Sequence, residues 1–246
     1  MRKIMISTAL VALISSPAFA QDANWTGEAS LAGSATTGNT ETTDLGLGLA
    51  LQREADVWRH KFDATLDYGT VSEEDTKNRL YLGYQLDRDL TENIYLFGTG
   101  NYFKDDFGSY QNGYFVGAGA GYHVLKGEPT FWDLEAAIGY RNQETRETGI
   151  FGQPGFLASE SVGEAALRGS SDFKYQFNEA VSFYNKTEVI TSSSDTYLWN
   201  DIGISANLMG NLSAKFGYRV DYHTDVPVGV EQTDTITRFA LVYAIN

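Results

Sequence analysis

The sequence predicts an all-β protein, a single antiparallel transmembrane β-barrel of about 12 strands. Three observations carry that prediction. Past Gln21 the apolar residues recur at every second position, with no run of helical period. The face opposite them carries charges in the middle of the runs, and mean hydropathy is only −0.28, as alternating lipid and lumen faces require. Aromatics gather near the run ends, among them Trp25, Trp58, Tyr68, Tyr122, Trp132, Tyr140, Tyr175, Tyr222 and Tyr243, where interfacial girdles sit. Soluble sandwiches and lipocalin-like barrels also alternate. A lipocalin, however, turns its apolar face inward, and its interior is too small for the aromatics of so many strands.

The N-terminal segment, residues 1–20, reads as an address. Arg2 and Lys3 precede an apolar stretch over 4–14, and Ala18-Phe19-Ala20 supplies the small residues of a signal-peptidase site. The stretch is well short of the ~20 residues of a spanning helix. Cleavage after Ala20 leaves 21–246 as one barrel domain, and losing Arg2 and Lys3 moves the formal charge from −14 to −16. No Cys follows Ala20, which excludes lipoprotein processing.

The strands then follow in order. Trp25, Gly27, Ala29, Leu31 and Gly33 oppose Thr26, Glu28 and Ser30. Leu45, Leu47, Leu49 and Leu51 alternate with Gly46, Gly48, Ala50 and Gln52. Trp58, His60, Phe62, Ala64, Leu66 and Tyr68 oppose Arg59, Lys61, Asp63, Thr65 and Asp67. Leu80, Leu82, Tyr84 and Leu86 oppose Arg79, Gly83, Gln85 and Asp87. Residues 94–103 are apolar on both faces (Ile94 and Leu96 against Tyr95 and Phe97), which leaves their direction unassigned. The run over 114–124 is backed by Gly117, Gly119 and Gly121. Trp132, Leu134, Ala136 and Ile138 oppose Asp133, Glu135 and Gly139, and Ala165, Leu167 and Phe173 oppose Glu164, Arg168, Asp172 and Lys174. A strand of weaker phase covers 181–191. Runs over 198–208, 212–220 and 239–245 complete the series, with Lys215, Arg219, Asp221, Asp234 and Arg238 on their polar faces.

Connections at 53–57, 87–93, 125–130, 178–180 and 209–211 are short. Those at 70–77, 104–111, 141–159 and 223–232 are mostly longer and richer in acid, Gly and Pro, while 36–43 and 192–196 on the same side are short. The Gly38-Asn39 pair suits a tight hairpin. A signal peptide brings both termini to the periplasmic side of a Gram-negative outer membrane and puts the longer loops outside the cell. Composition narrows the function classes. A hydrophobic share of 42 % excludes disorder, and the lack of Cys excludes thiolate zinc sites, a cysteine nucleophile and a disulfide scaffold. A formal charge of −14 argues against a nucleic-acid partner, which needs a basic face.

A family likeness rests on particular residues. Trp25-x-Gly27, the Gly33-Ser34-Ala35-Thr36-Thr37-Gly38-Asn39-Thr40-Glu41-Thr42 turn and the leucine alternation after it resemble the start of the YdiY-like family. These are salt-induced outer-membrane proteins classed as a domain of unknown function. Asp106-Phe107 and Gly117-x-Gly119-x-Gly121-Tyr122 are similar to the family's middle. Tyr218-x-Val220-x-Tyr222, Pro227 and Asp234-Thr235 are similar to its end. The resemblance implies an outer-membrane location and a link to osmotic or salt stress, and it supplies no catalytic residues. The chain ends on Asn246 rather than an aromatic, so the signal read by the assembly machinery rests on Tyr243 and Ile245.

The candidate site is the lumen. Phase puts Glu28, Asp63, Asp67, Asp133, Glu135, Glu164, Asp172, Glu188, Asp201, Asp221 and Asp234 inside, with Arg59, Lys61, Arg79, Arg168, Lys174, Lys186, Lys215, Arg219 and Arg238. Such near-balanced charge serves either a network that rigidifies the barrel or a narrow aqueous path that selects solutes. The expected function is a small porin-like or osmotic-stress barrel without catalysis, slightly cation-preferring at its acidic mouth. The alternative is a closed barrel whose acidic loops, such as Glu73-Glu74-Asp75 and Asp105-Asp106, bind lipopolysaccharide, cations or a partner, with 141–159 as the segment to test. A soluble periplasmic β protein is the third option. No cofactor or metal site is expected, because no loop has calcium-binding spacing. His60, His123 and His223 are scattered, and no Ser shares the phase of His223 nearby. The expected partners are outer-membrane lipid and lipopolysaccharide, the assembly machinery during biogenesis, and small ions or solutes.

Overall fold

The computed structural model describes residues 24–36, 42–108, 110–147, 156, 158–226 and 231–245. The expected cleavage at Ala20, the Gly38-Asn39 turn, Pro227, Asn246 and most of the 141–159 loop lie outside them. Twelve strands run through the described residues: β1 (Asn24–Thr36), β2 (Thr42–Ala55), β3 (Trp58–Val71), β4 (Glu74–Asp89), β5 (Ile94–Asp105), β6 (Tyr110–Leu125), β7 (Thr130–Thr145), β8 (Ser161–Gln176), β9 (Val181–Thr191), β10 (Thr196–Met209), β11 (Leu212–His223) and β12 (Thr233–Ile245). Each is antiparallel to its neighbour in sequence, and β12 returns to β1 to close the barrel. Closure removes the free edges that would otherwise template aggregation. The seam is short. β1 meets β12 only from Gly27↔Ile245 to Ala32↔Ala240, whereas β1 and β2 pair from Asn24↔Glu54 to Thr36↔Thr42.

Closing an alternating sheet sorts its side chains into two unlike surfaces. Outside, Ile138 is 70 % exposed and Phe239 68 %, and Leu, Val, Phe and Tyr cover strand after strand. An apolar surface of that extent belongs against lipid rather than water. Trp58, Tyr68, Tyr122, Tyr140, Tyr175 and Tyr243 lie exposed on it. Inside, Tyr95, Asp87 and Phe115 are buried.

The direction of β5 is resolved by its neighbour. Tyr95 pairs with Gly121 and Phe97 with Gly119. A Cβ on Gly121 would fall 2.1 Å from Tyr95 Cζ. Gly121 therefore clears the space that the Tyr95 ring fills in the interior, and Ile94 and Leu96 face outward.

Some of the connections read as longer loops are shorter than expected. The supposed 70–77 loop is a two-residue turn, with Ser72 and Glu73 at φ 51° and 68°, the geometry that matches strand twist in a tight hairpin. Thr70 and Val71, β-branched and at home in strands, extend the pairing to Val71↔Glu74. Tyr68 Oη donates to Asp75 at 2.6 Å. The 104–111 loop contracts likewise to 106–109, because the Asp105 carboxylate accepts from the N–H groups of Phe107 and Gly108 at 3.0 and 2.9 Å. Residues 141–145 belong to β7 rather than to a loop.

Candidate functional site

Glu135, nearer the Thr130 end of β7, is the hub of the first charge cluster. It accepts from Gln85 Nε2 at 2.7 Å, Tyr95 Oη at 2.8 Å, Arg168 Nη1 at 2.9 Å and Ser170 Oγ at 3.1 Å. Lys61 Nζ stands 3.9 Å away. Arg168 passes the contact on to Glu188 at 2.6 Å, which also accepts from Trp199 Nε1 at 3.0 Å. In the other direction the buried Asp87 takes Arg59 at 2.9 Å, Lys61 at 3.0 Å and Gln85 at 2.8 Å. Arg59 lies 5.1 Å from the Tyr95 ring centroid and Arg168 5.8 Å from that of Phe97, so the cations are packed as well as paired. The chain of contacts runs from β3 to β10 through the interior. Buried charges persist only with such partners, and among the described residues no buried side-chain N or O lacks one.

A second cluster lies toward the opposite end of the barrel, near the His223 end of β11. Asp221 on β11 accepts from Arg219 at 2.8 Å and from Tyr197 Oη, and pairs with Arg79 of β4 at 3.8 Å. Arg79 also meets Asp105 at 3.9 Å, and Arg219 lies 4.5 Å from the Trp199 ring centroid. Above it, the 192–195 connection turns Asp195 inward to full burial. Asp195 is bound by Arg141 Nη2 at 2.9 Å, His223 Nδ1 at 2.7 Å and the N–H groups of Thr224 and Asp225 at 3.0 and 3.1 Å. Burial pushes its carboxyl up, but the hydrogen bond and charge of His223, the Asp225 N–H and Arg141 outweigh that and hold it well below the usual carboxylate range.

The other expected lumen charges have their own surroundings. Arg238 Nη2 donates to both carboxylate oxygens of Asp67, at 3.0 and 2.9 Å. Lys215 stands 3.9 Å from Glu28 and Lys186 3.3 Å from Asp172. Asp63 lies among Lys186, Lys61, Glu28 and Asp172. Asp133 meets His123 Nδ1 at 2.6 Å, and Glu164 accepts from the hydroxyls of Ser193 and Ser194 in the connection between β9 and β10. Asp201 accepts from Tyr184 Oη at 3.1 Å. His60 faces outward and bonds Tyr84 at 2.9 Å, away from the other histidines.

The filled side of the interior faces a wall of small residues. Ser30, Ala32, Gly46, Gly48, Gly217 and Ala240, on β1, β2, β11 and β12, leave a cavity of about 80 Å³ beside Asp67, Asp201, Lys215, Arg219 and Arg238. At ~10–15 Å³ per water centre, that space holds a few waters and no sugar. Among the described residues no group of three or more His, Asp or Glu is arranged to hold a metal ion.

Asp87 and Gln85 stand on the polar face of β4 with Arg79, as the alternation has them, although they are not among the expected lumen charges. Two residues of these clusters escape a phase count. Arg141 stands in a stretch read as loop, and Asp195 in a connection without phase. Neither carries a periodic signal.

A family model described as "Protein of unknown function, DUF481" matches residues 29–245. No curated protein matches the chain significantly. Among solved structures, an outer-membrane channel from Pseudomonas putida F1 is similar with a TM-score of 0.51 at 12 % identity, covering 90 % of this chain and 95 % of that one. The translocator domain of the autotransporter NalP from Neisseria meningitidis has a TM-score of 0.49 at 12 % identity, covering 90 % and 88 %. At that identity the likeness to the channel is one of fold, that of outer-membrane barrels.

Proposed function

This chain belongs to the DUF481 family of proteins of unknown function, and we propose that it is a narrow porin-like barrel that passes small ions across the outer membrane. The observation that carries the reading is the asymmetry of the interior. One side is filled by paired charges and rings, while the small-residue wall keeps free, charge-lined space. A lumen so crossed excludes sugars and larger solutes by size and acts on ions by charge. Export by a signal peptide cleaved at Ala20, residence in the outer membrane against lipid and lipopolysaccharide, and a part in osmotic or salt stress belong to the same proposal. Paired lumen charges, among them Glu28, Asp133, Glu135, Glu164, Arg168, Asp172, Lys186, Glu188 and Arg219, shape the passage and carry no catalytic role.

The test is planar-bilayer conductance of the mature chain, after heat-modifiable gel mobility has verified that the barrel formed. Small discrete steps are expected. A folded barrel that stays silent at every voltage would reject the ion passage. A second reading, a closed barrel that acts through its outer loops, is favoured by one observation. Asp195 pins the 192–195 and 224–225 connections to Arg141 at the outer mouth. Deleting residues 148–155 should then abolish binding to lipopolysaccharide vesicles, whereas in a channel it should alter conductance alone.

A further inference from the structure

This inference rests on the ion-passage reading and concerns the side of the interior where free space remains. Arg238, on β12, reaches past β1 and β2 to Asp67 on β3, holding both carboxylate oxygens at 3.0 and 2.9 Å. The two side chains thus form a bar across the small-residue wall, the side of the interior where free space remains. Gly46 is part of that construction. A Cβ there would come 3.0 Å from Asp67 Oδ1, so a larger residue would press on the seated carboxylate.

Of the charges lining the cavity, all but Asp201 stand in contact ion pairs among the described residues. Arg238 is met by Asp67, Arg219 by Asp221 at 2.8 Å and Lys215 by Glu28 at 3.9 Å. Asp201 lines the same space and, among the described residues, has no ion pair. Its partner is the neutral Tyr184 Oη, which donates at 3.1 Å. That phenol is held in place by its neighbours. Cβ atoms on Gly203 and Gly217 would fall 2.5 and 2.4 Å from the hydroxyl, so two glycines clear the space for it. Lys215 Nζ rests 4.1 Å from the ring centroid. The tyrosine therefore positions a carboxylate that has no contact ion pair beside the free space, with the Lys215 charge nearby.

We propose that the Arg238–Asp67 bar and Asp201 are the selectivity constriction of this barrel. The bar limits the size of what passes, and Asp201 sets its sign, so the permeant class is small monovalent cations such as K⁺ in preference to Cl⁻. A single fixed charge in a narrow polar passage biases the local ion population without binding any ion tightly, which suits conduction.

The experiment is reversal potential and unit conductance of the refolded mature chain between unequal KCl solutions. Asp201→Asn keeps an acceptor oxygen for Tyr184 and removes the charge. The K⁺/Cl⁻ permeability ratio should fall about threefold at ~0.1 M salt and less at 1 M, where screening shortens from ~10 to ~3 Å. Arg238→Gln breaks the bridge to Asp67, and unit conductance should rise about twofold or more as the bar opens. Should Asp201→Asn not fold, Asp201→Glu, which displaces the charge without removing it, must still shift the ratio. A conducting wild type whose folded variants keep the same ratio and conductance overturns the constriction and leaves the ion passage standing. Silence of the wild type and of Arg238→Gln, both folded, rejects the passage itself and the constriction with it.

Discussion

Removing Glu135 is the severest single test of the charged interior. The side chain is 9 % exposed and accepts from Gln85, Tyr95, Arg168 and Ser170. Glu135→Ala takes the acceptor from all four at once. Gln85 retains Asp87 and Arg168 retains Glu188, but Tyr95 Oη is left inside with neither. Breaking a buried ion pair by deleting one partner costs about 3–5 kcal/mol, and water entering the lumen moves the expectation to the lower end of that range. Glu135→Gln keeps an oxygen for Tyr95 and loses only the charge, so its cost should be about 1–3 kcal/mol, that of a hydrogen bond to a charged group. Guanidinium unfolding of the barrel in lipid vesicles measures both, with tryptophan emission as the probe. Trp199 is hydrogen-bonded into the same network through Glu188 and reports its loss. An alanine variant within about 1 kcal/mol of wild type would refute the reasoning, and so would a glutamine variant that is equally damaged.

Three further outcomes are expected. Ile138→Arg, on the outer wall, should destabilise by about 2–4 kcal/mol in the same vesicles, the usual penalty for a cation facing mid-bilayer lipid; a neutral effect would mean the wall is not against lipid. Gly121→Ala puts a methyl 2.1 Å from Tyr95 Cζ and should cost about 1–3 kcal/mol by overpacking. Combined with Glu135→Ala it should be less than additive, because both act on Tyr95, as a double-mutant cycle would reveal. Asp195 is held below the usual carboxylate range, so its contribution is full above the unfolded value of about 4 and is lost as pH falls through the lower folded value. Wild-type melting should drop below about pH 4, while Asp195→Asn starts lower at neutral pH and falls less. Parallel acid limbs would count against the latch.

The barrel was legible because period-2 alternation is a direct image of a two-sided sheet. Leu45, Leu47, Leu49 and Leu51 announce a lipid face whatever surrounds them, and Glu135 or Arg168, charged in mid-strand, could only turn inward. β5 was illegible because Tyr95 and Phe97 are as apolar as Ile94 and Leu96. What decides between them is Gly121 of β6, a fact about a neighbouring strand that phase within β5 does not carry. The 70–77 connection misled for a related reason, since its acids look like loop although Thr70 and Val71 continue the strand. Charge balance in the lumen was readable as composition, but its pairing was not. Arg238 finds Asp67, far away in sequence, only once β12 has come round to β1, and Asp195 enters the interior from a connection that has no periodicity at all.

The seam between the first and last strands is held by more than its backbone ladder. β12 pairs with β1 over only part of its length, from Ala240 onward, and Arg238 stands just past the last of those pairs. Its bridge to Asp67 on β3 ties the C-terminal strand to the N-terminal hairpins beyond the point where the backbone ladder stops. It is a clasp over a partly sewn join. A chain still open at that join has neither the clasp nor the constriction the clasp forms. If the proposed constriction holds, closure of the sheet and discrimination among ions arise in the same event, and an unclasped barrel would be leaky and unselective.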